Sequence, residues 1–231
     1  MLEQEDQSIQ VVSANDNWSD RLTNKFNSAQ KRFFEDMEFV AETQDEQLPE
    51  FFENIPVWDQ GKWSRDYSNN CYNFALNRKT NDFLQPGDIN VYPELATEDY
   101  INKIIKNTAN DNLRPLKYSF MECRADEIPV ALFFRPRTEN QSNDFHWFAL
   151  RKNKRPKNNL SYIWAHKQGA RNAEITEDKI FSDKKLGHID IFNSASQYNY
   201  NHFAGFFATP KHAEPIKKTS GLIYFLNSFK R

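Results

Sequence analysis

Cys71, one of only two cysteines in the chain, sits in the run Asn69-Asn70-Cys71-Tyr72-Asn73-Phe74-Ala75-Leu76. Asparagine is a favoured N-cap, because its side-chain oxygen accepts hydrogen bonds from the free N–H groups of a first helical turn. With Asn70 as the cap, Cys71 opens a short helix that ends near Asn77. There the helix dipole and the unpaired N–H groups stabilise negative charge. A thiol so placed is expected to have a lowered pKa and to act as a nucleophile through its thiolate. The plainer reading is a buried structural cysteine, since free cysteine is among the most buried residue types.

Two imidazoles extend the chemistry. His146 lies in Phe145-His146-Trp147-Phe148, and His166 lies in Trp164-Ala165-His166-Lys167-Gln168-Gly169. A basic stretch, Lys152 to Lys157, separates the two apolar runs. If the runs pair across that turn, both histidines fall at the far end and become neighbours. Thiol, imidazole and a second polar group form a nucleophile, base and orienter. Cys71 would attack a carbonyl carbon. His146 would take its proton and return it to the leaving amine. His166 would hold the other ring nitrogen and fix the tautomer; Asp190 and Asn193 are alternatives for that third place. His146 also reads as a hydrogen-bonded core residue, and His166 as a surface residue at a strand end. His188, His202 and His212 carry no motif and read as structural or surface residues, and Cys123, in a polar stretch without a partner signal, reads as structural.

Zinc held by Cys71, His146, His166 and His188 is chemically reasonable. The chain has no C-x-x-C or H-E-x-x-H pair, so the expectation is no metal and no cofactor. No glycine-rich phosphate loop is present, which argues against nucleotide chemistry. The net charge of -2 gives no footprint for nucleic acid. The basic run Arg151 to Lys157 reads as a solvated turn, or as a meeting point for an anionic partner.

These residues need elements to position them. Trp18, Leu22, Phe26, Ala29, Phe33, Met37 and Val40 recur at steps of three and four. They predict an amphipathic helix over 18–40, capped by Asn15 or Asp16. It reads as a core-packing element, or else as a partner-binding arm ahead of the main domain. Gln85-Pro86-Gly87-Asp88 predicts a turn. A second helix is expected from a Thr97 cap, with Tyr100, Ile101, Ile104 and Ile105 on its apolar face. Strands are expected at Pro129–Arg135, Asp144–Lys152, Leu160–His166, His202–Thr209 and Leu222–Leu226, with a short helix near Glu177–Phe181. Helices first and strands later argue an α+β fold with an antiparallel sheet. The division expected is 1–50 as a lead and helix, and 51–231 as the main domain. The 20 Phe among 231 residues supply ample core area. No apolar run reaches the length of a membrane span, and residues 1–10 lack a signal-peptide pattern. Synthesis in the cytoplasm is therefore expected, with no stable membrane insertion.

A helix-capped cysteine followed by strands bearing one histidine and then another resembles the papain-like fold of NlpC-type cell-wall peptidases and the related CHAP amidases. The resemblance runs from about Pro56 to Phe207. It implies N-terminal helices packed on an antiparallel sheet, and a thiol amidase or peptidase with Cys71, His146 and His166 as catalytic residues. The Cys71 N–H and an upstream donor among Tyr67, Asn69 and Asn70 would stabilise the oxyanion. An upstream tyrosine is common in NlpC-type sites, which favours Tyr67. The implied substrate is a peptide, with peptidoglycan stem peptides first. A deamidase or acyltransferase acting on a host protein, or a non-catalytic peptide-binding module, are the alternatives. The implied setting is a toxin, effector or lysin exported by a specialised system such as type VI secretion, with an immunity protein or a secretion carrier as partner.

Overall fold

The computed structural model describes residues 18–43, 47–58, 63, 67–88, 95–154, 160–169, 173–175 and 191–211. The expected cap at Asn15 or Asp16, the turn after Lys154, the Glu177–Phe181 helix, His188, Asp190, His212 and the Leu222–Leu226 strand lie outside these residues.

Helices lead and strands follow, giving an α+β arrangement around one antiparallel sheet of order β1-β6-β2-β3-β4-β5. The strands are β1 (Arg114–Pro115), β2 (Glu127–Arg135), β3 (Asp144–Lys154), β4 (Leu160–Lys167), β5 (Ala173–Ile175) and β6 (His202–Pro210). β3 and β4 pair as expected, with Phe148 opposite His166 and Lys154 opposite Leu160. The two-residue β1 and three-residue β5 are too short to leave a period-two pattern in the sequence.

Alternation along the strands divides the core in two. One face gathers Phe133, Phe148, Leu150, Trp164, Phe203 and Phe206. The other gathers Val130, Leu132, Phe134, Trp147, Ala149 and Ala165. A bulge on β6 serves this division. Leu132 pairs with Gly205 but Phe133 pairs with Phe203, so β6 carries one extra residue there. The shift brings Phe203 to the first face, 5.1 Å from Phe133 between ring centroids.

The expected N-terminal helix spans Trp18–Glu42. Its Phe33, Met37 and Val40 are buried in the first face, beside Phe120, Trp164 and Phe206. Spacing of three and four puts these side chains on one stripe. The sheet supplies the surface that buries them. A short helix over Ile191–Gln197, which the sequence pattern did not single out, adds Ile191 and Phe192 to the same layer.

The second face is covered by the cysteine helix (Cys71–Ala75) and the Thr97–Thr108 helix. The cap of the latter is Ala96 rather than Thr97, and it makes no side-chain cap bond. The Thr97 hydroxyl instead accepts from the Arg137 N–H at 3.4 Å. The Pro86-Gly87-Asp88 turn holds Gly87 at φ +68°. A Cβ there would lie 2.7 Å from the Asn107 carbonyl, so glycine is required by space as well as by conformation.

Candidate active site

Asn70 caps the cysteine helix as its residue type predicts. Its Oδ1 accepts from the N–H groups of Tyr72 and Asn73, both at 3.1 Å. Asn73 returns the bond, its Oδ1 accepting from the Asn70 N–H at 2.9 Å, which completes a capping box. Further amide contacts tie the loop that follows to the helix. Asn70 Nδ2 donates to Leu84 O at 2.7 Å, Asn73 Oδ1 accepts from Leu84 N at 3.1 Å, and Asn69 Oδ1 accepts from Thr80 N at 2.9 Å. Asn70 is thus engaged as a helix cap through both its side-chain oxygen and its amide nitrogen. Tyr67, the donor favoured by the resemblance, is 66% exposed on the turn before the helix.

At its other end the helix meets Arg151. This residue was expected in a solvated basic turn but is 2% exposed. Nη2 donates to Phe74 O at 2.6 Å, and the guanidinium lies 4.7 Å from the centroid of the Phe74 ring. A cation at the carboxyl end of a helix complements the dipole. Burial pushes its pKa down to about 9. The helix is also held from beneath, where the Tyr72 hydroxyl donates to Asp111 at 2.5 Å.

Cys71 is buried, and its sulfur lies against the backbone N–H of Trp147, the residue after His146. The N–H groups of Cys71 and Tyr72 also favour the thiolate. Burial outweighs all three and pushes the thiol up to about 12, with the Asp144 carboxylate adding to the rise. The expected lowering is therefore corrected. A helix of five residues has a weak dipole, and removal from water penalises the anion more than three N–H groups stabilise it.

The two histidines meet as the hairpin predicts. His146 Nε2 and His166 Nδ1 are 2.8 Å apart, with the rings nearly perpendicular at 84°. Both are buried. Burial holds His146 well below the usual imidazole range, with the neighbouring His166 contributing, and pushes His166 down to about 4. Both rings are therefore neutral near pH 7, and one proton is shared between Nε2 and Nδ1. That contact leaves Nδ1 of His146 for another partner. Asn193, an alternative third group, is exposed on its helix.

Sulfur and imidazoles approach β3 from different sides. The ring of His146 packs at 5.1 Å from Phe148, on the first face. Cys71 belongs with Phe145 and Trp147 on the second. Among the described residues no hydrogen bond joins the sulfur to either ring. The sulfur meets β3 at the Trp147 N–H, one residue along from His146, whose ring lies on the other face.

Residues that the sequence reading passed over surround this point. Tyr200 stacks on His146 at 5.0 Å and 21°, and its hydroxyl donates to Asp144 Oδ2 at 2.8 Å. Burial, and then the Asp144 carboxylate, hold the Tyr100 hydroxyl protonated beside this point. Arg135 pairs with Asp144 at 3.4 Å. No motif links these residues along the chain; the β2–β3 register, which places Arg135 opposite Asp144, brings part of the group together. Cys123, expected to be structural, packs partly buried against the first-face core. His202 stacks on Phe134 at 5.2 Å. Among the described residues, no three His, Cys, Asp or Glu gather around a point that suits a metal ion. No helix among them is long and apolar enough to cross a membrane. Compared with protein-family models, curated proteins and solved structures, the chain matches none.

Proposed function

We propose that the protein is a cysteine amidohydrolase of papain-like, NlpC-type layout that cleaves a peptide amide, with peptidoglycan stem peptides as the leading substrate class. The observation that carries this reading is the buried His146–His166 pair, bonded at 2.8 Å on the strand whose Trp147 N–H meets the Cys71 sulfur. In this reading the resting site is neutral. The thiol keeps its proton, and His146 is an unprotonated base. For this step the sulfur would have to come within reach of Nδ1 of His146, past the β3 backbone that separates them at rest; that nitrogen would then remove the proton as sulfur attacks the carbonyl carbon. The imidazolium then protonates the departing amine, and a thioester forms on Cys71. Water resolves the thioester in a hydrolase or a deamidase, and an amine resolves it in a transferase. The helix cap engages the N–H groups of Tyr72 and Asn73, which leaves the Cys71 N–H as the first-turn donor for the oxyanion. An immunity protein or a secretion carrier is the partner that fits an exported toxin of this kind.

The burial and raised pKa of Cys71, with no bond to a ring, favour a second reading: a peptide-binding module without catalysis. Peptidoglycan digestion read by mass spectrometry separates the two. The amidase reading expects new amine termini from the wild type, none from Cys71→Ala, and a loss of about 10²- to 10⁴-fold in His146→Ala. Undiminished product from Cys71→Ala would end it. Retention of intact stem peptides without cleavage would establish the binding module.

A further inference from the structure

We infer that Tyr200 is a positioning residue for His146, holding the imidazole plane so that Nε2 meets His166. Any catalytic consequence rests on the amidase reading above, but the positioning itself does not. β3 places the His146 backbone and the bond to His166 restrains one nitrogen, and a stacked ring adds a second restraint on rotation about χ2. Phe148 touches the imidazole edge-on, at 84°. Tyr200 lies nearly parallel to it, at 21° with the centroids 5.0 Å apart, in an offset stack.

The tyrosine is itself held at both ends. Its hydroxyl donates to Asp144 Oδ2, and Asp144 stands two residues before His146 on the same strand. The other Asp144 oxygen accepts from the Phe145 N–H at 2.9 Å, and Arg135 pairs with the carboxylate from β2. The Arg135 guanidinium also stands 5.6 Å from the centroid of the Tyr200 ring. The Tyr200 backbone is anchored by the end of the Ile191–Gln197 helix. Asn199 takes φ +65°, and the Tyr200 N–H bonds to Ala195 O at 3.0 Å. A left-handed residue followed by such a back-reaching bond is a common way to end a helix, and asparagine tolerates that conformation. Burial and the Asp144 charge keep the hydroxyl protonated, so it remains a donor.

The test is nuclear magnetic resonance of the full-length chain with ¹⁵N-labelled histidine. The proton shared by His146 and His166 gives a downfield imidazole resonance with coupling across the N–H···N bond. Wild type should show it. Tyr200→Leu, which keeps apolar bulk but has no ring plane, should lose it. Tyr200→Phe keeps the plane without the hydroxyl tether, so the resonance should persist with exchange at least about tenfold faster. An unchanged resonance and exchange rate in folded Tyr200→Leu would overturn the inference. If Tyr200→Leu does not fold, an exchange rate in Tyr200→Phe equal to wild type overturns it. Failure to cleave any peptide would remove the amidase reading and leave this result standing. A resonance intact in Tyr200→Leu beside normal cleavage by the wild type would remove only the role of Tyr200.

Discussion

On one face of the sheet Phe33, Phe120, Trp164, Phe192 and Phe206 meet ring to ring, with centroids 5.6 to 6.3 Å apart. On the other, a five-residue helix is held by three asparagines, an arginine and a tyrosine hydroxyl. The first arrangement rests on area removed from water and on ring contacts that tolerate many angles. The second rests on directed bonds, each satisfied at one geometry. Helix propensity cannot hold five residues, because nucleation costs more than so few bonds return. The thiol is aimed by amides, and the frame on which it is aimed is made of aromatic rings. His146 belongs to the aromatic face but is oriented by polar contacts, to His166 and through Tyr200 to Asp144.

Breaking the aromatic face should have the largest effect. Phe33 is fully buried and touches rings from the sheet, from the Ile191–Gln197 helix and from the 3₁₀ turn at Phe120–Glu122. Phe33→Ala should cost about 3–5 kcal/mol in urea unfolding, from lost transfer energy and the cavity left behind. In the folded fraction the absolute alkylation rate of Cys71 should stay at the wild-type value, whereas Cys123, packed against the broken face, should label faster. A cost below about 1 kcal/mol would mean that the N-terminal helix is a loosely attached arm. A changed Cys71 rate in folded protein would mean that the two faces are coupled.

The two faces also differ in how legible they were. The three-and-four spacing of Phe26, Phe33, Met37 and Val40 identified the long helix because many residues repeat one signal. The cap at Asn70 and the meeting of the histidines were legible for local reasons: an Asn-Cys boundary and a hairpin whose register follows from its turn. The protonation of Cys71 was not legible. It depends on how much of Phe145, Trp147 and the Thr97–Thr108 helix encloses the sulfur, and no local string encodes that. Arg151 was misread for a related reason: its charge suggested water, whereas its position on β3 faces it toward the Phe74 carbonyl. Asn73, three residues beyond Asn70, was the overlooked half of a capping box with asparagine in the place usual for Glu or Gln.

Acid should come next, because it acts on the buried imidazoles that lie between the two regions. The pKa of His166 falls from an ordinary 6.5 to about 4 on folding, and that of His146 also falls. Below pH 6.5 the unfolded chain therefore binds protons that the folded chain refuses. Stability is fully present above about pH 6.5, is lost as pH falls through the window, and levels off below the folded values. For His166 alone the loss reaches about 3 kcal/mol at 1.36 kcal/mol per unit. Urea midpoints between pH 7 and pH 4 should show this slope, and His166→Gln should flatten it. An equal slope in His166→Gln would place the acid sensitivity elsewhere.

The smallest effect should come from the residue that aims the thiol. Asn70→Ala removes the acceptor for two helix N–H groups and the donor to Leu84 O, so the loss should be about 1 kcal/mol, within the 0.5–2 kcal/mol range of N-caps. Its local consequence should exceed its global one. Without the cap the first turn frays, Leu84 loses one of its two bonds to the helix, and water reaches the sulfur. Desolvation is the largest cause of the raised thiol pKa, so fraying should lower that pKa and speed alkylation of Cys71, with Cys123 as the internal standard. Asn70→Asp restores the acceptor and adds a charge favourable at a helix start, so it should recover most of the stability. The same charge beside the sulfur should keep alkylation slower than in Asn70→Ala. If Asn70→Ala leaves the Cys71 rate unchanged while lowering stability, the cap supports the fold without aiming the thiol, and the division of labour between rings and amides fails at the cysteine.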